Sequence, residues 1–204
     1  MKCPVRGLYA ITQAENKSMA VILYEVEAVL NGGAVMLQYR NKSLANHYVI
    51  ASHVHALCQR YHVPLIINDD MHLAQALGAE GVHLGEHDGE LHEARALLGD
   101  QAIIGITCYQ SLEYAQLAQQ QGANYVAFGR FFPSRSKPLA KRAALSLLTE
   151  AKQNIAIPIV AIGGILPGNA TELLAAGADI LAVIDGLFAS EPALAVKAYQ
   201  VLFN

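Results

Sequence analysis

Eight short apolar runs recur along this chain, and the segments between them carry helical spacing. This alternation limits the available folds more than any other feature. The runs are GLYAIT (7–12), AVMLQYR (34–40), PLIINDD (64–70), GVHLG (81–85), AIIGITC (102–108), YVAFG (125–129), PIVAIGG (158–164) and DILAVID (179–185). Most are nearly continuously hydrophobic rather than alternating, the pattern of parallel strands buried on both faces. Between them, residues 20–31 put Ile22, Val26 and Val29 on one stripe, and 111–122 repeat Leu112, Ala115 and Ala118 before Gly122. Shorter helices are expected over 71–77 and 90–98. Gly33-Ala34, Gly78-Ala79, Gly122-Ala123 and Gly177-Ala178 each precede an even-numbered strand, which predicts one tight αβ turn used four times. Strand and helix alternating eight times in 204 residues predict a single-domain α/β fold over 1–204, a (β/α)8 TIM barrel. A doubly wound open sheet usually has fewer strands and a Gly-rich loop after the first, where this chain has AITQAEN.

Composition narrows the function classes. The chain is 53% hydrophobic and 15% charged, with a formal net charge of −3, which excludes long disorder and a general nucleic-acid binder. Any anion site must be a local concentration of positive charge. Three scattered cysteines make neither a disulfide scaffold nor a metal motif, and the opening MKCPVRGLYAIT has no apolar stretch of the secretory kind. No uninterrupted apolar run approaches a membrane span. A cytoplasmic protein with small-molecule partners is expected, with a homo-oligomer left open.

Barrel active sites lie at the C-terminal strand ends, and polar residues gather there in this chain. Strand two ends in Gln38, Arg40 and Lys42, which alternate and so share a face. Strand three supplies Asn68, Asp69 and Asp70, and strand four leads through Gly85 to Asp88. Strand five ends in Thr107, and strand six opens into GRFFPSRSKP (129–138). Gly163-Gly164 after strand seven and IDGLF after strand eight match the place where barrels hold phosphate on backbone N–H groups. Asp69 and Asp88 on adjacent strands suit Mg2+, which takes carboxylate, water and phosphate oxygens. Other candidates fail. HLGEH (83–87) misplaces the Glu of a zinc-protease motif, and His83 reads as a satisfied strand histidine. His53 and His55 lie two apart on a helix and point apart, and Cys108 has no base beside it.

Over nearly its whole length the chain resembles the thiamine-phosphate synthase family, through GLYAIT, LQYRNK, INDD, GVHLGEHD, IIGITCY, YVAFGRFFPSRSKP, VAIGGI and LAVIDGLF in order. The resemblance implies a (β/α)8 enzyme that joins a hydroxymethylpyrimidine diphosphate to a thiazole phosphate, with Mg2+ required. It implies that Gln38, Tyr39, Arg40, Asn41, Lys42, Asn68, Thr107 and Lys137 surround the pyrimidine diphosphate. Of these, Arg40, Lys42, Thr107 and Lys137 would be catalytic, and Asp69 and Asp88 would bind the metal. Ser134, Arg135, Ser136, Gly164, Ile184 and Asp185 would hold the thiazole phosphate. Regular alternation groups Asn68 with Asp70, whereas the resemblance selects Asp69. Asp185 stands where the family commonly carries a neutral residue or His, and pairing with Arg135 would cancel its charge beside a phosphate. A related thiazole tautomerase and a non-catalytic phosphate-binding barrel are the alternatives.

Overall fold

The eight apolar runs become eight parallel strands in a computed structural model, which describes residues 1–42, 47–134 and 141–203. The strands are β1 (Gly7–Ile11), β2 (Met36–Tyr39), β3 (Leu65–Asn68), β4 (Gly81–Leu84), β5 (Ile103–Tyr109), β6 (Tyr125–Gly129), β7 (Ile159–Ile162) and β8 (Ile180–Val183). Each pairs with the next, and β1 pairs with β8 (Tyr9 opposite Ala182), so the sheet closes in sequence order. This is the (β/α)8 barrel the alternation predicts. Most ladders stop a residue or two inside the apolar runs, because the polar ends turn into loops at the mouth.

The outer ring is α1 (Met19–Asn31), α2 (His47–Tyr61), α3 (Met71–Leu77), α4 (Leu91–Leu98), α5 (Leu112–Gln120), α6 (Ser146–Asn154), α7 (Pro167–Ala176), α8 (Asp185–Phe188) and α9 (Pro192–Gln200). Alternation did not foresee a short α8 ahead of the closing helix. The expected stripes are buried: Ile22, Val26 and Val29 on α1, Ala115 and Ala118 on α5. All four Gly-Ala pairs adopt one geometry. Each Gly has positive φ, and each Ala N–H bonds a carbonyl five residues back, as Ala34 does to Val29 at 3.1 Å. Those bonds satisfy helix carbonyls that would otherwise end bare.

Two cores result. One lies between barrel and helices; the other fills the barrel axis with Tyr9, Met36, Ile66, Ile103, Tyr125 and Ile180 among others. The axial core stops short of the C-terminal strand ends, and the space above it is the site.

Candidate active site

A cavity of about 620 Å³ opens at the C-terminal mouth. Its strand-two wall is formed by Gln38, Arg40 and Lys42. The β2 ladder ends at Tyr39, yet the alternation continues, because Thr12 takes over the pairing. The Thr12 Oγ1 accepts from Arg40 N (2.8 Å) and donates to Arg40 O (3.0 Å). Arg40 Nη1 donates to Glu15 Oε1 at 3.1 Å, which holds the guanidinium from behind. Tyr39 and Asn41 do not line the cavity. Tyr39 points into the outer core, and the Asn41 amide donates to its hydroxyl at 3.1 Å, as period-two geometry requires.

Asp69 and Asp70 separate for a different reason. Asp69 sits in the left-handed region (φ 65°), which breaks the alternation after Asn68. Asn68 and Asp69 both line the cavity. Asp70 is the N-cap of α3, accepting from Leu73 N at 2.8 Å. The acid that lines the cavity is the one the resemblance selects, not the one that alternation groups with Asn68. After the neighbouring strand β4, Asp88 Oδ2 accepts from Gly85 N at 2.8 Å, which fixes a carboxylate whose residue also lines the cavity. No group of three or more His, Cys, Asp or Glu that could hold a metal occurs among the described residues. Two carboxylates facing a cation-lined cavity fit Mg2+, which completes its shell with water and substrate phosphate, and do not fit a structural zinc site.

The opposite wall comes from β6 to β8. Ser134, Gly163, Gly164, Ile184 and Asp185 all line the cavity. At Gly164 (φ 66°) a Cβ would collide with Pro133 O, so the glycine lets the post-β7 loop pack under the post-β6 loop. Asn169 then pins that loop, donating to Gly164 O at 3.1 Å and accepting from Leu166 N at 2.8 Å. Asp185 opens α8. Arg135, Ser136 and Lys137 lie outside the described residues.

The floor is a chain of polar side chains from five strands. Gln38 Nε2 donates to Tyr9 Oη at 2.8 Å, and Tyr9 and Tyr125 hydroxyls meet at 3.0 Å. His83 Nδ1 lies 2.9 Å from Tyr125 Oη, and His83 Nε2 lies 2.7 Å from Thr107 Oγ1. His83 stacks on Tyr125 (5.6 Å between centroids, 12° between planes), and a Cβ at Gly105 would enter the Tyr125 ring. Burial pushes both phenols up, so both stay protonated. Sequence reasoning missed Tyr9, Tyr125 and Glu15. The available signal was a tyrosine within β1 and another opening β6, both in apolar runs, since a buried hydroxyl needs a partner. Cys108 faces the outer core, and burial pushes its thiol up to about 12, so it presents no thiolate.

Fold and cavity define a class: an eight-stranded barrel whose mouth gathers Arg40, Lys42 and Arg130 with the acids Asp69, Glu86, Asp88 and Asp185 over a hydrogen-bonded floor. Within that class the comparisons are specific. The family model described as thiamine monophosphate synthase matches residues 8–187, and the chain belongs to that family. Thiamine-phosphate synthase of Thiobacillus denitrificans is 52% identical over 184 residues, covering 89% of this chain and 87% of that one. Its namesake in Thioalkalivibrio sulfidiphilus is 51% identical over 203 residues, covering 98% and 96%. Thiamine phosphate pyrophosphorylase from Pyrococcus furiosus superimposes with a TM-score of 0.84 at 32% identity, covering 96% of this chain and 94% of that one. Among the described residues no helix is long and apolar enough to cross a membrane.

Proposed function

We propose that this chain joins 4-amino-2-methyl-5-hydroxymethylpyrimidine diphosphate to thiazole phosphate, giving thiamine phosphate and pyrophosphate. The observation that carries this reading is the shared cavity of Arg40 and Lys42 with Asp69 and Asp88, in a chain of this family. Gln38, Asn68 and Thr107 would seat the pyrimidine diphosphate together with Arg40, Lys42 and Lys137. Ser134, Arg135, Ser136, Gly164, Ile184 and Asp185 would hold the thiazole phosphate. Asp69 and Asp88 would hold Mg2+, which when bound supplies positive charge against the diphosphate oxygens.

The chemistry needs no protein nucleophile. The C–O bond to the diphosphate breaks and its electron pair leaves with pyrophosphate. The thiazole nitrogen then gives its lone pair to the resulting pyrimidine methylene cation. Arg40, Lys42 and Lys137 stabilise the charge that develops on the leaving group, a preorganised electrostatic role. Glu15 supports it by fixing the Arg40 guanidinium before substrate arrives. The walls hold both partners in line and exclude the water that would trap the cation. Three free thiols, Cys3, Cys58 and Cys108, support a cytoplasmic setting.

The test is steady-state pyrophosphate release with both substrates, with and without Mg2+. Release should need both substrates and the metal. Interconversion of thiazole phosphate isomers without any pyrophosphate release would establish the tautomerase alternative instead.

A further inference from the structure

The floor chain has a direction, and direction has a consequence at each end. Gln38 Nε2 donates to Tyr9, so the single proton of Tyr9 goes to Tyr125 and that of Tyr125 to His83 Nδ1. His83 therefore carries its proton on Nε2 and donates it to Thr107 Oγ1. The Thr107 hydroxyl proton is left for the cavity that Thr107 lines. At the other end Gln38 also lines the cavity, and its Oε1 has no hydrogen-bond partner among the described residues. Turning the Gln38 amide over would reverse every bond in the chain, ending with Thr107 donating inward to His83. The two ends therefore invert together or not at all.

We infer that Tyr9, Tyr125 and His83 are positioning residues that lock Gln38 with its carbonyl toward the cavity, making the site selective for a pyrimidine with an exocyclic amine over its oxo counterpart. This rests on the pyrimidine diphosphate reading above. An amine donates to the Gln38 carbonyl. An oxo group at that place would set oxygen against oxygen, and the amide can turn to relieve it only by reversing the whole relay, which moves the His83 proton to Nδ1 and withdraws the Thr107 hydroxyl proton from the cavity. A glutamine alone could turn over and accept either ring.

Two measurements test this. The first compares kcat/KM for the diphosphates of the 4-amino and 4-oxo pyrimidines in wild type, Tyr9→Phe and Tyr125→Phe. Wild type should favour the amine by about a hundredfold or more, as a site built to hydrogen-bond one group does. Both variants should shrink that preference at least about tenfold, the loss of roughly one buried hydrogen bond, through KM for the pyrimidine alone. KM for thiazole phosphate should not move. Unchanged preference in both variants would overturn the inference.

The second measurement reads the His83 imidazole by ¹⁵N NMR in the substrate-free protein. Wild type and Tyr9→Phe should both show the Nε2–H form, because Tyr125 still donates to Nδ1. Tyr125→Phe should lose that preference. An Nδ1–H form in wild type would mean the chain runs the other way, and the inference fails. Tyr9→Phe leaves the Tyr125–His83–Thr107 bonds intact, so it serves if Tyr125→Phe does not fold. If wild type released no pyrophosphate from the amino substrate, the functional reading would fall, while the NMR result would still decide the relay.

Discussion

At adjacent positions, Asp70 closes the first turn of α3 while Asp69 turns into the cavity. Asp70→Ala should cost about 1 kcal/mol of stability, the usual loss of a helix N-cap, and leave the Mg2+ requirement unchanged. Asp69→Asn and Asp88→Asn should do the reverse, raising the Mg2+ needed for half-maximal turnover with little change in the urea midpoint. Activity of either variant at wild-type level under limiting Mg2+ would remove that residue from the metal site. Asp185 poses the opposite problem, an acid on the wall proposed for thiazole phosphate. Two unit charges about 6 Å apart at an effective dielectric near 20 repel by roughly 3 kcal/mol. Arg135 follows directly on Ser134, which lines the same cavity. Arg135→Ala should loosen thiazole phosphate, and Asp185→Ser in that background should restore it. Additive effects in calorimetry of the two single variants and the double would show that these residues do not couple.

Among the elements, the αβ turns were the most legible part of the chain. A Gly-Ala pair before each even strand is a local signal, and its physical cause, a positive φ at the end of a helix, is local too. The cost of replacing these glycines should differ with what surrounds them. Nothing lies within 4 Å of a Cβ placed at Gly78, so Gly78→Ala should cost only the backbone term, about 1–2 kcal/mol. At Gly177 the same Cβ would meet Lys152 Cβ at 2.9 Å and Leu148 O at 3.0 Å, so Gly177→Ala should lose more in urea unfolding. Strand order and most of the cavity wall were readable in the same way, because alternation and strand ends are properties of neighbouring residues. The floor was not. Tyr9, His83 and Tyr125 are far apart in sequence and meet only through barrel closure, so no window of the chain contains the relay. The Asp69 turn was hidden likewise, since a single left-handed residue leaves no periodic trace.

For the whole molecule, binding and stability should be linked through the mouth. Pyrophosphate with Mg2+, at about a hundred times its Kd, should stabilise the fold by about 2.7 kcal/mol and raise Tm by roughly 5–10 °C. Chelation with EDTA should abolish the shift; a shift that survives EDTA would mean the anion binds without the acids. The filled barrel axis has a further effect. Met36, Ile103 and Ile180 are buried at or below 1% exposure and none of them lines the cavity, so the chamber is a cul-de-sac. Traffic through one doorway must queue. If the pyrimidine diphosphate takes the floor at Gln38 and Thr107, as proposed, and thiazole phosphate sits nearer the rim, the first must board before the second. Excess thiazole phosphate should then obstruct entry, seen as substrate inhibition that more pyrimidine diphosphate relieves. Initial rates that rise to a plateau with thiazole phosphate at every pyrimidine concentration would mean that neither molecule waits for the other.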